Sequence, residues 1–500
     1  MSNATNADFS AMLSQFAPNG LFKEEMVKRD YILSQIEKDE SWVASTGDST
    51  NGPTATGTGS GIFGGPLTVR FKGAQASSQK MGGLTAQNQI TQAKYVLGQI
   101  LVQPETWGSL IFNHKDIMVH GKLSEINFLN VLEDNLEDFM DVMKYNISTA
   151  LLEGPAYCKL VAIVDSATNT TGVVLVDRPD RLHIGQKVLI NLPATEAVIG
   201  AGTQPIFAFV KTINVNASSG GQPAGSVILA SDLALTTPMD FTGVLQRQTA
   251  DGTPLAGYAL NGNLPVLTTK LYMDGTLDGL AGAGTGSATS IINQFSNLKD
   301  LLFPFGVAAG TSVGAGSATI YGITKTAYPY TQAIYIDGAG ASATNLVKKA
   351  FYGFTQTRRY GKGRPTDIIM SYNNLAIVMA IVEASKGAFN VVPNSYKASQ
   401  YGFTEVKIGS VTSQTLKFVG IQEMGDDWIA YIDWRALKFY SNGMFRKHKS
   451  PDGIEYFTTR SVTGYQYIVD IALFGDIVLE RPSYCGVMGD IAINYTTAFN

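Results

Sequence analysis

Apolar positions change their period along this chain, and the changes divide it. Over residues 21–39, Phe22, Met26, Leu33 and Ile36 recur at helical spacing, and Glu24 stands four residues before Lys28, so a short helix is expected. At 66–72 the period becomes two, with Leu67, Val69 and Phe71 alternating with Thr68, Arg70 and Lys72. A return strand is expected at 94–103, where Tyr95 and Leu97 oppose Val96, Ile100 and Val102. The connection, GAQASSQKMGGLTAQNQITQ, is polar and contains no acid. A lone two-stranded ribbon is marginal in water, and a return strand apolar on both faces needs cover on both. This ribbon asks for a neighbour.

The pattern at 124–153 predicts a helix about 45 Å long. Leu129, Leu132, Leu136, Phe139, Met140, Met143, Ile147 and Leu151 form one stripe, and Glu133, Asp134, Glu137, Asp138 and Asp141 take the other side. Ser124 is the expected N-cap and Gly154-Pro155 the stop. Residues 155–270 then lose helical periodicity. Short β-type runs at 159–164, 172–176, 187–192, 206–215 and 226–230, separated by turn residues, predict a small antiparallel barrel or sandwich. Beyond it, helices are expected at 291–305, 344–361 and 372–385, and strands at 364–371, 416–424, 428–440, 456–460 and 465–482. The class is α+β, and no repeat of 20–50 residues is evident.

Composition sharpens this in three ways. With 45% hydrophobic residues in 500, global disorder is excluded. Charged residues are only 16%, against roughly 25% in an average soluble domain, so the surface is either rich in Gly, Ser and Thr or covered by partners. The net charge of -4 carries no basic excess of the kind that marks a nucleic-acid reader. Cys158 and Cys485 alone make neither a disulfide framework nor a CxxC site. The opening MSNATNADFS has no signal-peptide pattern, and the longest apolar run, 375–382, falls short of the roughly 18 residues of a membrane span.

Motifs for chemistry are absent. His114, His120, His183 and His448 show neither HxxxH nor HExxH spacing, so no metal is expected. The acids from Glu133 to Asp141 suit the solvated face of a helix, and Asp426-Asp427 suits a turn before Trp428. GTGSGIFGG (57–65), GAGTGS (282–287) and RYGKGRP (359–365) lack the ending of a phosphate-binding loop and are expected to be flexible. No catalytic residue and no cofactor are assigned. An enzyme reading would have to use paired acids such as Glu133 and Glu137 in a hydrolase.

One segment carries a resemblance. Gly322-Ile323-Thr324-Lys325 precedes Tyr328-Pro329-Tyr330, and a helix then leads to the strand from Pro365 to Ser371. With the order arm, hairpin, long helix and mixed α/β, this resembles the major capsid protein of tailed double-stranded DNA phages, the Hong Kong 97 fold, most like those of crAss-like phages. The resemblance implies an N-terminal arm (1–60), an E-loop hairpin (61–120), a spine helix of the peripheral domain (121–154), a β-rich insertion (155–270), an axial domain (271–455) and returning peripheral strands (456–500). It implies a virion protein, assembled in the host cytoplasm into hexamers and pentamers around packaged double-stranded DNA. Portal, scaffold and decoration proteins would be further partners, and no membrane is involved. Contacts between subunits are expected at Phe22, Met26, Leu33, Ile36, Leu67, Val69, Phe71, Tyr95, Leu97 and Ile100, and removal of residues 1–40 is expected to abolish closed particles. Lys72 and Lys80 lie in the loop where some members of the family crosslink, without an identifiable partner. The alternative in the same class is a tail or adhesion component.

Overall fold

The computed structural model describes residues 27–39, 67–74, 94–100, 105–113, 125–154, 156–163, 172–191, 206–214, 225–232, 234–238, 270–273, 295–304, 319–384, 391–393, 405–409, 415–441, 446–447, 457–461, 464–491 and 493. The chain divides into two compact units: Met1–Pro53, Gly61–Glu153 and Phe295–Asn500 form the first, Thr54–Ser60 and Gly154–Gln294 the second.

A seven-stranded mixed sheet organises the first unit, in the order Ile334–Asp337, Gly486–Gly489, Ile429–Ile432, Asp367–Ser371, Thr415–Ile421, Glu405–Gly409, Val391–Pro393. Asp367–Ser371 lies at its centre, parallel to one neighbour, antiparallel to the other and buried along its whole length. A strand covered on both faces reads as an unbroken apolar run, which is why it was visible in the sequence. Helices Leu346–Gln356 and Tyr372–Ala384 provide cover. Leu346, Ala350 and Phe354 of one and Leu375 and Val378 of the other join Ile368, Met370, Phe418, Tyr431 and Met488 in a single core.

The long helix runs Glu125–Glu153, 29 residues, or about 44 Å. Met143, Ile147 and Leu151 are buried along it. Its last residue anchors it: the Glu153 carboxylate accepts from the Trp428 indole N–H at 2.8 Å and from the Gly425 amide at 2.6 Å. Asp427 pairs with Lys299 at 3.0 Å, and Asp426 accepts from the Asn373 side chain at 2.9 Å. The two acids therefore form a structural turn.

Other expectations are corrected. In place of one continuous helix over 21–39, the described part is helical at 27–29, breaks at Asp30 and resumes as the short helix Tyr31–Gln35. The Asp30 carboxylate accepts from the Leu33 amide at 2.7 Å, the competition with helical hydrogen bonding that makes Asp a cap. The chain then extends at Glu37–Asp39, parallel to Leu437–Tyr440, whose other neighbour is Asp476–Leu479. Phe22, Glu24 and Met26 lie outside the described residues. The helix expected at 291–305 is one turn, Leu298–Leu302, capped by Asn297. The 428–440 strand breaks at Asp433, which caps the turn Trp434–Ala436, and the 465–482 strand breaks at Gly475, where φ is +144°. Glu105–Asn113, assigned from sequence to the hairpin, pairs instead along Gly464–Phe474, in a sheet with Phe457–Ser461 and Arg446–Lys447.

The second unit contains a closed antiparallel barrel. Its strands, in order around the ring, are Lys270–Met273, Ala156–Ile163, Val173–Val176, Ser226–Ala230, Ile206–Asn214 and Lys187–Asn191. Lys270–Met273 pairs with both Ala156–Ile163 and Lys187–Asn191, so the boundary expected at 270 cuts the closing strand and must move beyond it. Val174, Val188, Ala208, Val210, Val227, Leu229 and Leu271 fill the interior. Closure leaves no free strand edge.

Candidate functional site: one ribbon face and a basic cleft

The ribbon pairs Leu67–Ala74 with Lys94–Ile100 in the expected alternation. Val69 and Phe71 on one strand, and Gly98 and Ile100 on the other, are buried. Phe71 stacks on Tyr321 at 5.7 Å between ring centres, and Gly98 approaches the same residue so closely that a Cβ would lie 3.0 Å from that of Tyr321. Tyr321 in turn donates its hydroxyl to the Ile477 carbonyl at 3.2 Å and accepts from the Leu479 amide at 3.0 Å. Burial pushes its phenol well above the usual tyrosine range. One face of the ribbon is thus sealed by its own chain, a contact contributing about 1.5–3 kcal/mol for a ring such as Phe71.

On the opposite face the described side chains lie open. Tyr95 is 64% exposed and Leu97 59% exposed, with Arg70, the cross-strand partner of Leu97, exposed beside them. This sorts the ten residues expected at subunit contacts. Leu33, Ile36, Val69, Phe71 and Ile100 are covered by the chain itself, so they are core residues and are not available to a second copy. Leu67 is half-buried. Tyr95 and Leu97 remain at the surface, while Phe22 and Met26 fall outside the described residues. The side chain of Lys72, and Lys80 altogether, also fall outside them.

The segment Gly322-Ile323-Thr324-Lys325 has a structural purpose. Tyr321 and Gly322 turn a two-strand hairpin, Thr319–Ile320 with Ile323–Thr324. Lys325 follows, buried, and its ammonium donates to the carbonyls of Asp300 at 2.7 Å and Phe303 at 2.9 Å. Desolvation brings its pKa down to about 8.

The segment before the ribbon docks on the long helix. Arg29 forms ion pairs with Glu137 and Asp141, and buried Asp30 accepts from the Ser148 hydroxyl. Burial raises the Asp30 carboxyl above the usual range. Lys144 pairs with buried Glu423 at 2.8 Å. Glu137 is therefore engaged in an ion pair, while the side chain of Glu133 lies outside the described residues.

RYGKGRP, expected to be flexible, is a folded turn. The helix Leu346–Gln356 continues into a π-helical turn, Thr357–Gly361, and Lys362 closes it in the left-handed region at φ +60°. A Cβ on Gly361 would collide with the Ser483 carbonyl oxygen and one on Gly363 with that of Tyr484, so the two glycines let backbones touch. Around this turn a cleft of about 340 Å³ opens, lined by Arg70, Lys362 and Arg481 and by the rings of Tyr95, Tyr360 and Tyr484. Arg481 lies over Tyr484 and Arg359 over Tyr360, each at 5.4 Å from the ring centre. Such stacking holds a guanidinium in place while leaving its N–H edge available. The basic run was visible in the sequence, but the residues that join it come from positions 70, 95 and 481–484, which no spacing rule connects.

No protein-family model matches the chain, and no curated protein matches it. Solved structures do. A chain of the capsid asymmetric unit of cyanophage A-1(L) aligns with a TM-score of 0.37 and 11% identity, over 85% of this chain and 88% of that one. A chain of the satellite phage P4 procapsid, which includes the size determination (Sid) protein, aligns with a TM-score of 0.36 and 10% identity, over 95% and 91%. A chain of the capsid of the Myoviridae phage XM1 aligns with a TM-score of 0.30 and 8% identity, over 92% and 90%. Among the described residues no helix is long and apolar enough to cross a membrane, and no cluster of His, Cys, Asp or Glu is arranged to hold a metal ion.

Proposed function

We propose that this chain is the major capsid subunit of a tailed phage, with a Hong Kong 97-type fold and the barrel as an insertion in it. Copies of it join as hexamers and pentamers into an icosahedral shell around double-stranded DNA. The observation that carries the reading is the half-covered ribbon. Its inner face is sealed on Tyr321, while Tyr95 and Leu97 stand bare on the outer face of a two-stranded element that is weak by itself. A repeating shell supplies the missing cover from the next copy. The sequence resemblance centred on 297–371 supports the same assembly.

Leu97→Asp tests it. The variant keeps the fold, because surface substitutions of this kind cost within about 0.5 kcal/mol, and it forms no closed particles by negative-stain electron microscopy where the wild type does. Normal shells from Leu97→Asp, or a wild type that never rises above small oligomers on a sucrose gradient, sink the reading. Removing residues 1–40 is a poorer test than the sequence implied. Ile32, Leu33 and the strand Glu37–Asp39 belong to the fold of the first unit, so that deletion damages the subunit as well as any arm.

A further inference from the structure

The net charge of -4 is unevenly spread. From Thr344 to Pro365 the chain holds six cations, Lys348, Lys349, Arg358, Arg359, Lys362 and Arg364, and no acid. Two of them are used within the chain: Lys349 donates to the carbonyls of Gly338 and Ala339, and Lys362 has an interaction of its own there. The other four are exposed, and among the described residues none of the four forms an ion pair. Asp433, which accepts from the Arg364 amide at 2.9 Å, is taken by the Arg435 guanidinium. Exposed Lys348, Tyr352, Thr355 and Arg359 recur every three or four residues, so they follow one side of Leu346–Gln356 and the turn after it for about 16 Å. Helix stability explains only part of this strip. Arg358 and Arg359 complement the C-terminal end of the helix dipole, but Lys348 sits in the first turn, where a cation is unfavourable.

We propose that this strip is where the subunit touches the phosphate backbone of double-stranded DNA. The inference rests on the shell reading above and names the surface that meets the contents of the shell. Arg358 lies over the Phe354 ring at 5.5 Å and Arg359 over the Tyr360 ring at 5.4 Å. A guanidinium held on a ring keeps its N–H edge available, and that fork matches phosphate oxygens. Tyr352 and Tyr360 are 58% and 62% exposed, and phenol hydroxyls also donate to phosphate. A protein partner would be met by an apolar centre with charge confined to the rim. Here the order is different: the two exposed rings are interleaved with the cations, and no exposed aliphatic side chain lies among them from Lys348 to Arg364. Phosphate contacts carry no sequence information, so the binding is indifferent to sequence.

The test titrates the full-length, unassembled subunit into fluorescein-labelled DNA duplexes of two unrelated sequences and reads anisotropy. The wild type binds both alike, and its affinity falls between about 50 and 200 mM salt. Arg358→Gln with Arg359→Gln keeps the melting temperature and binds about tenfold more weakly at about 50 mM salt, with a slope of log affinity against log salt that is shallower by about 1.8. Lys348→Gln with Arg364→Gln repeats the result without touching the stacked arginines. The charge-matched pair Lys187→Gln with Lys211→Gln, in the barrel, stays within about twofold of the wild type. Three results overturn the inference: a wild type that does not bind duplex, strip variants that bind as the wild type does, or an equal loss in the barrel pair, which would reduce the effect to overall charge. Strip variants that keep their DNA affinity but form no particles would assign the strip to an acidic face of another copy and also overturn it. Duplex binding needs no shell, so a wild type that binds through the strip yet never forms particles sinks the shell reading alone.

Discussion

Lys325 donates its ammonium to the carbonyl oxygen of Phe303 at 2.9 Å, closing a one-turn helix from 22 residues away. The same ammonium takes the Asp300 carbonyl at 2.7 Å. A helix this short leaves its last carbonyls without partners, and here a lysine of the hairpin supplies them. Phe303 meets both Tyr335 and Trp428 at ring distances near 6 Å (6.2 and 6.1 Å), so the tie reaches the edge strand Ile334–Asp337 and the start of Ile429–Ile432.

Lys325→Met keeps the volume and removes the donor. Two buried carbonyls lose their partner, and the expected loss is about 2–4 kcal/mol in urea denaturation. Desolvation lowers the lysine to about 8 in the folded chain, below its unfolded value, so its contribution is fully present above the unfolded value and is lost as pH falls toward 8. The stability gap between wild type and variant should accordingly widen from pH 8 to pH 10. A gap that narrows over that range would contradict the assignment.

Asp476 gives the opposite slope. It is buried, accepting from the Ser296 amide and hydroxyl, both at 2.7 Å, and from the Ile477 amide at 2.9 Å. Burial pushes its carboxyl up to about 7. The folded state then holds a proton that the unfolded state has released, so stability falls as pH rises from about 4 to about 7. Over that window the site accounts for roughly 4 kcal/mol, which Asp476→Asn removes. Parallel pH profiles for the two proteins would refute it.

Gly363→Ala forces a methyl group into the Tyr484 carbonyl. Overpacking of this kind costs about 1–3 kcal/mol, read as a lower unfolding midpoint, with an unchanged midpoint as the contrary result. Thr366→Ala, at an exposed position three residues on, is the control and should stay within about 0.5 kcal/mol.

The barrel has its own core, so Leu229→Ala should act locally. The loss of a fully buried leucine costs about 2–5 kcal/mol. Calorimetry of the full chain is expected to resolve two transitions, with only one of them shifted by this variant. A single transition displaced as a whole would mean that the two units unfold together.

Legibility followed the range of the interactions. The ribbon, the long helix, five barrel strands and the central strand Asp367–Ser371 announce themselves by local period, because one face or both are buried along their whole length. Errors came where a single polar side chain or a backbone angle ends an element: Asp30, Asn297, Asp433 and Gly475 each break a run that composition alone would continue. Lys270–Met273 was missed because its four residues include no β-branched side chain, unlike the equally short Val173–Val176. The cleft was the least visible feature. Arg70, Lys362 and Arg481 meet only once the ribbon, the helical turn and the turn Pro482–Tyr484 have folded against one another.

The order of strands in the seven-stranded sheet also sets a timetable for synthesis. Gly486–Gly489 lies between Ile334–Asp337 and Ile429–Ile432, and neither of those pairs with the other directly. A ribosome that has made the chain through 432 has produced both flanking strands but not the one that joins them. Until residue 489 emerges, each flank carries an open edge. The sheet is therefore finished late, after more than 50 further residues, and a truncated product carries two sticky edges in place of one completed sheet. Such a fold favours building with whole copies and leaves partial ones to aggregation or degradation.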